Sequence, residues 1–82
     1  MRIIGGSLRG KTIDICPDFK GRPTTDFAKE ALFNILDSEY DFERLKVLDL
    51  FSGTGSVSFE FASRGVGHIW SVEMNAQYAA WI

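Results

Sequence analysis

The sequence predicts an α/β fold, a parallel strand–helix–strand unit preceded by a small β-hairpin. Three observations predict it. Val47-Leu48-Asp49-Leu50-Phe51 is nearly all apolar, as expected of a parallel strand covered on both faces. Ser52-Gly53-Thr54-Gly55 follows as a glycine-rich turn. A helical segment and a second strand then continue to Glu73, which completes a βαβ order expected to be right-handed and parallel. With 82 residues the chain is one small domain at most, and burial on folding covers only roughly 60–65% of the surface the unfolded chain exposes.

The elements follow in order. Residues 2 to 4 and 11 to 16 are short β-prone runs joined by Gly5-Gly6 and Arg9-Gly10, which reads as a hairpin. Residues 17 to 23 hold both prolines and Gly21, and so form a loop. From Thr24 to about Asp37, Ala28, Ala31, Leu32, Ile35 and Leu36 recur at helical spacing, with Thr24, Thr25 or Asp26 available as a cap. Residues 38 to 45 are charged and aromatic and are expected to cross the surface. A strand at 46–51 and the turn at 52–55 lead into a helix at about 56–64 that buries Val57, Phe59, Phe61 and Ala62, with Gly65 placed to end it. A second strand covers 68–73, and residues 75–82 start another helix. The organisation expected is a basic hairpin and loop over 1–23 and the start of a larger domain over 24–82.

Composition excludes several classes. No apolar run approaches the ~18 residues of a membrane span. The N-terminus lacks the apolar core and cleavage site of a secretory signal, which predicts a cytoplasmic protein. Cys16 is the single cysteine and has no partner for a disulfide or metal site, so a partly buried small side chain is expected there. His68 opens a strand with no companion at an informative spacing. The net charge of −2 conceals an asymmetry. Residues 1–23 carry five basic side chains against two acidic ones, and the other 59 residues carry four against nine. A basic arm on an acidic body suits a phosphate-bearing partner, although a solvated hairpin has the same composition.

The chemistry gathers at the carboxyl ends of the two strands, where open α/β sheets bind ligands. Asp49 precedes the turn formed by Ser52, Gly53, Thr54 and Gly55, and Glu73 lies 20 residues after Gly53. That spacing suits an acidic side chain accepting hydrogen bonds from ribose hydroxyls. The two glycines permit close backbone approach to a ligand. An adenosine-containing ligand is therefore expected. A dinucleotide fingerprint would place a third small residue where Ser58 stands, and Asp49 would repel a pyrophosphate. The same carboxylate attracts an ammonium group, so S-adenosylmethionine fits better, with a dinucleotide or an unliganded structural turn as the other readings.

Arg22-Pro23-Thr24-Thr25-Asp26, Glu30-Ala31-Leu32-Phe33-Asn34-Ile35-Leu36 and Leu48-Asp49-Leu50-Phe51-Ser52-Gly53-Thr54-Gly55 together resemble the RsmD-type 16S ribosomal RNA guanine-N2 methyltransferases. The opening Arg2-Ile3-Ile4-Gly5-Gly6 with Arg9-Gly10-Lys11 also looks like that family's N-terminal hairpin. The likeness covers essentially the whole chain. It implies a Rossmann-like class I S-adenosylmethionine-dependent methyltransferase, of which this sequence would be the N-terminal part of the doubly wound sheet. In that reading Asp49, Ser52, Gly53, Thr54 and Gly55 belong to the cofactor loop, Glu73 holds the ribose and Met74 flanks the adenine. Arg22, Thr24 and Thr25 sit near the methionine end, although a rigid loop and a helix cap also explain them. Arg2, Arg9, Lys11 and Arg22 would meet ribosomal RNA, free or in the small-subunit particle.

One departure qualifies the resemblance. The family's catalytic motif is an Asn or Asp followed by Pro-Pro and an aromatic residue, and neither Asn34 nor Asn75 begins one. No catalytic residue is therefore expected in this chain, which would be inactive alone as an N-terminal fragment. A methyltransferase acting on adenine or cytosine amino groups in DNA shares the cofactor motif. A non-catalytic assembly module pairing through an exposed sheet edge belongs to another class. Uncovered apolar faces on the strand 47–51 and the helix 56–64 predict self-association or partial disorder.

Overall fold

A computed structural model describes residues 1–17, 19–21 and 24–82. In chain order it holds α1 (Asp26–Glu39), a 3₁₀ turn (Phe42–Arg44), β1 (Lys46–Leu50), α2 (Ser56–Ser63), β2 (His68–Val72) and α3 (Ala76–Trp81). β1 and β2 are parallel neighbours, in the register Lys46↔His68 through Leu50↔Val72. The expected βαβ order is present.

The N-terminal hairpin forms as an irregular ribbon. Arg2 and Thr12 make an antiparallel bridge, supported by Ile3 N–H to Lys11 O at 3.0 Å, Gly10 N–H to Ile3 O at 2.8 Å and Ile13 N–H to Met1 O at 2.8 Å. The ribbon lies on α2, where Ser7 N–H donates to Ser63 O at 2.8 Å and Ser63 Oγ donates to Gly5 O at 2.6 Å. Cys16 is buried with a free thiol.

Thr25 caps α1, its Oγ1 accepting from Ala28 N–H at 3.1 Å. The face that α1 buries differs from the expected stripe. Lys29 and Phe33 are buried and Leu36 is half-buried, whereas Ala28, Ala31, Leu32 and Ile35 are exposed. The physical reason is a buried charge pair. Lys29 Nζ lies 3.7 Å from a carboxylate oxygen of Glu60 and donates to Arg2 O at 2.7 Å and Ser56 Oγ at 3.1 Å. Pairing rotates the helix so that a lysine points inward.

α2 departs in the same sense. Phe61 is buried and Val57 and Phe59 are half-buried, but Ala62 is exposed, and Ser56, Ser58, Glu60 and Ser63 are buried. Ala62 is the only exposed residue of this helix, so it is not left uncovered as expected. Its polar face is satisfied by the N-terminal ribbon: Ile4 N–H and Gly5 N–H donate to the two Glu60 oxygens at 2.8 and 2.9 Å. Arg64 Nε adds a bond to Glu60 at 2.8 Å. Gly65, at φ +94°, follows the end of the helix as anticipated.

The apolar core is Phe33, Phe42 and Phe61, with Leu36, Leu45, Val47, Val57, Val66 and Ile69 around it. Phe33 and Phe61 meet edge-on, with ring centroids 4.6 Å apart. The segment expected to cross the surface instead turns in a 3₁₀ helix that inserts Phe42 into this core. β1 alternates, with Val47 and Asp49 toward α2 and the other face bare. Leu48, Leu50, Trp70 and Val72, all on that bare face, are 60%, 56%, 53% and 48% exposed. Among the described residues no helix is long and apolar enough to cross a membrane.

Candidate functional site

The site is built where β1 and β2 end. Phe51 leaves β1 at φ +58°, a left-handed conformation that is uncommon for a bulky residue, and its ring is exposed. The reversal brings Ser52 N–H to Val72 O at 2.9 Å and Ser52 Oγ to Asp49 O at 2.9 Å. Gly55 N–H then closes a turn onto Ser52 O at 2.9 Å. Gly53 and Gly55 lie at φ +59° and +82°. A Cβ at Gly53 would stand 3.3 Å from the Phe19 ring, and one at Gly55 would stand 3.0 Å from Phe59. These positions therefore need glycine for conformation and for packing by the protein itself.

Glu73 ties the end of β2 to this turn. Its Oε1 accepts from Gly53 N–H at 2.7 Å and its Oε2 from Asn75 N–H at 2.9 Å. The Asn75 amide, then those of Gly53 and Met74, hold the Glu73 carboxyl below its usual range against a small opposing effect of desolvation. Asn75 in turn caps α3, its Oδ1 accepting from Gln77 N–H and Tyr78 N–H at 3.0 and 3.1 Å.

A cavity of about 410 Å³ opens beside the turn, a size in the range of small-molecule sites. Of the residues expected to bind a ligand, Thr24, Asp49, Ser52, Gly53, Thr54 and Glu73 line it. Gly55, Thr25 and Met74 are not among its walls. Thr25 serves as the α1 cap, and Met74 is 95% exposed. Arg22 lies outside the described residues.

Sequence reasoning missed the other walls: Leu50, Phe51, Ser56 and Val57 beside the turn, and Phe19, Gly21 and Tyr78 from farther along the chain. Phe19 and Tyr78 pack with ring centroids 4.9 Å apart, and Lys20 N–H donates to the Tyr78 hydroxyl at 3.1 Å. Phe19 and Lys20 are thereby docked against α3 at the cavity. A lone aromatic between two prolines was the available signal, but its partner is far along the chain. Ser58 and Ser71 were missed too: Ser58 Oγ donates to Asp49 Oδ2 at 2.6 Å, and Ser71 Oγ lies 2.6 Å from Ser58 Oγ.

The basic arm stands apart from this cavity. Arg9 and Lys11 are exposed and take part in no ion pair among the described residues. Arg2 pairs with Asp26 at 3.5 Å in an exposed contact.

A parallel βαβ unit with a carboxylate at the end of each strand and a glycine turn between them has the fold of a Rossmann-like methyltransferase. It superposes on a solved Escherichia coli structure named "Putative methyltransferase yhhF" with a TM-score of 0.84 and 33% identity, over 99% of this chain and 42% of that one. The sequence model of the family described as conserved hypothetical protein 95 matches residues 1–82. The chain belongs to that family, the RsmD type. Relatives include ribosomal RNA small subunit methyltransferase D of Escherichia coli K12, 38% identical over 81 residues covering 92% of this chain and 37% of the relative. The Rickettsia prowazekii "Uncharacterized methylase RP545" is 36% identical over 81 residues, covering 92% of this chain and 34% of the relative. The chain thus spans little more than a third of these curated relatives.

Proposed function

We propose that this chain supplies the S-adenosylmethionine-binding half of an enzyme that methylates the exocyclic amino group of a guanine in small-subunit ribosomal RNA. The observation that carries the reading is the pair of carboxylates, Asp49 and Glu73, fixed on either side of the Gly53 turn at one cavity. The donor set suits the group. Glu73 uses one lone pair on each oxygen for the backbone, which leaves the others to accept ribose hydroxyls. Asp49 supplies negative charge for an ammonium group, and Phe19 and Tyr78 supply an apolar wall.

When bound, S-adenosylmethionine supplies a methyl group made electrophilic by its sulfonium. The part played by this chain is to hold and orient it, which lowers the barrier by alignment with the guanine nitrogen. The chain has no Asn/Asp-Pro-Pro-aromatic motif, and alone it is expected to bind without transferring. Arg2, Arg9, Lys11 and Arg22 would contact phosphates of the ribosomal RNA, free or in the small-subunit particle, in the cytoplasm. The printed names of the relatives favour ribosomal RNA over DNA as the substrate class.

Equilibrium dialysis with labelled S-adenosylmethionine tests the reading. Retention that S-adenosylhomocysteine displaces and NAD does not supports it; displacement by NAD alone would assign the site to a dinucleotide.

A further inference from the structure

Behind Asp49 lies a hydrogen-bond chain to which three elements contribute one residue each. Asp49 on β1 and Ser71 on β2 are register partners, so their side chains leave the sheet on the same face. α2 covers that face and carries Ser58, which is 6% exposed. Ser58 Oγ donates to Asp49 Oδ2 at 2.6 Å and also lies 2.6 Å from Ser71 Oγ. A hydroxyl has one proton to give. That of Ser58 is committed to the carboxylate, so Ser71 must donate the second bond, and the chain runs in one direction, from Ser71 through Ser58 to Asp49.

The other Asp49 oxygen, Oδ1, has no hydrogen-bond partner among the described residues, and Asp49 lines the cavity while Ser58 and Ser71 do not. A carboxylate on a short side chain otherwise turns freely about its last torsion, whose energy profile is broad. A short bond to one oxygen from a buried, braced hydroxyl fixes the carboxylate plane. We infer that Ser58, braced by Ser71, is a positioning residue that aims Asp49 at the ammonium of the ligand and so selects the amino-acid half of S-adenosylmethionine. The dinucleotide fingerprint keeps its third small residue at this position for close helix packing. Here the same position holds a carboxylate in place, which favours a cation and disfavours a pyrophosphate. The inference rests on the reading of this cavity as the cofactor site.

Titration calorimetry with two ligands tests it: S-adenosylmethionine, and 5′-methylthioadenosine, which keeps the adenosine but lacks the amino-acid half. Ser58→Ala should weaken S-adenosylmethionine about five- to ten-fold, the scale of one ordinary hydrogen bond, and leave methylthioadenosine unchanged. In an Asp49→Ala background, Ser58→Ala should have no further effect, because it acts through that carboxylate. Equal weakening of both ligands would show a packing role and overturn the inference, as would an unchanged affinity for S-adenosylmethionine. Should Ser58→Ala not fold, Ser71→Ala on the exposed strand carries the same test, with the same split between ligands expected. Wild-type chain that binds neither ligand would instead overturn the cofactor reading itself.

Discussion

Lys29 of α1 and Glu60 of α2 form an ion pair at 3.7 Å with side chains 1% and 0% exposed, and between them they hold the N-terminal ribbon. Lys29 takes Arg2 O, while Glu60 takes the amides of Ile4 and Gly5 and the Arg64 guanidinium. Every bond that a buried charge needs is supplied, which is the condition under which such a pair is tolerated. Because Lys29 also reaches Ser56 Oγ, beside the glycine turn, the clamp joins the basic arm to the edge of the cavity.

Glu60→Ala should therefore cost about 3–5 kcal/mol, the usual result of removing one partner of a buried pair. That is a large part of the roughly 5–15 kcal/mol of a typical domain. Urea unfolding checks it. Burial raises the Glu60 carboxyl, but the Ile4 amide, Arg64 and the Gly5 amide outweigh it and bring it below its usual 4.5. A depressed folded value contributes stability that is full above the unfolded value and lost as pH falls through the folded one. The urea midpoint of the wild type should thus fall as pH drops below 4.5, and that of Glu60→Ala should fall less.

Glu73→Ala should weaken S-adenosylmethionine by about ten-fold or more, since it removes charged acceptors and frees the Gly53 amide. The Asn75, Gly53 and Met74 amides hold this carboxyl low, so binding should be level above its usual value of 4.5 and weaken only as more acid conditions protonate it. Binding that strengthens on acidification would contradict the assignment.

The course of the chain was legible in the sequence, and the reason is local. Gly53, Gly55, Gly65 and Asn75 punctuate it with turn and cap chemistry that needs no distant partner. Which face each helix buries was not legible. Hydrophobic periodicity assigns Lys29 and Glu60 to solvent, and only their mutual contact across the fold reverses that. The serines of α2 are buried for the same kind of reason: Ser63 serves the ribbon and Ser58 serves Asp49. At the cavity, Asp49 and Glu73 could be placed from strand ends alone, whereas Phe19 and Tyr78 meet only once the loop docks on α3.

Arg9→Ala with Lys11→Ala should lower RNA affinity and flatten its salt dependence, by about 0.7 in slope for each single-strand phosphate that the arm no longer neutralises. Filter binding across a salt series reads this, and an unchanged slope would remove the arm from the RNA interface.

The bare face formed by Leu48, Leu50, Trp70 and Val72 should drive self-association of this chain. Sedimentation should show mass rising with concentration, and a Leu48→Lys, Trp70→Lys variant should stay monomeric at the same concentrations. A wild-type chain that is monomeric throughout would show that this face needs no cover.

The central claim is that the cofactor sits at the turn joining Asp49 to Glu73, and amide NMR of this small chain tests it most directly. Adding S-adenosylmethionine should shift the Ser52, Gly53, Thr54 and Asn75 amides first and most. A well-dispersed spectrum that does not change, or changes only at residues away from this turn, would contradict it.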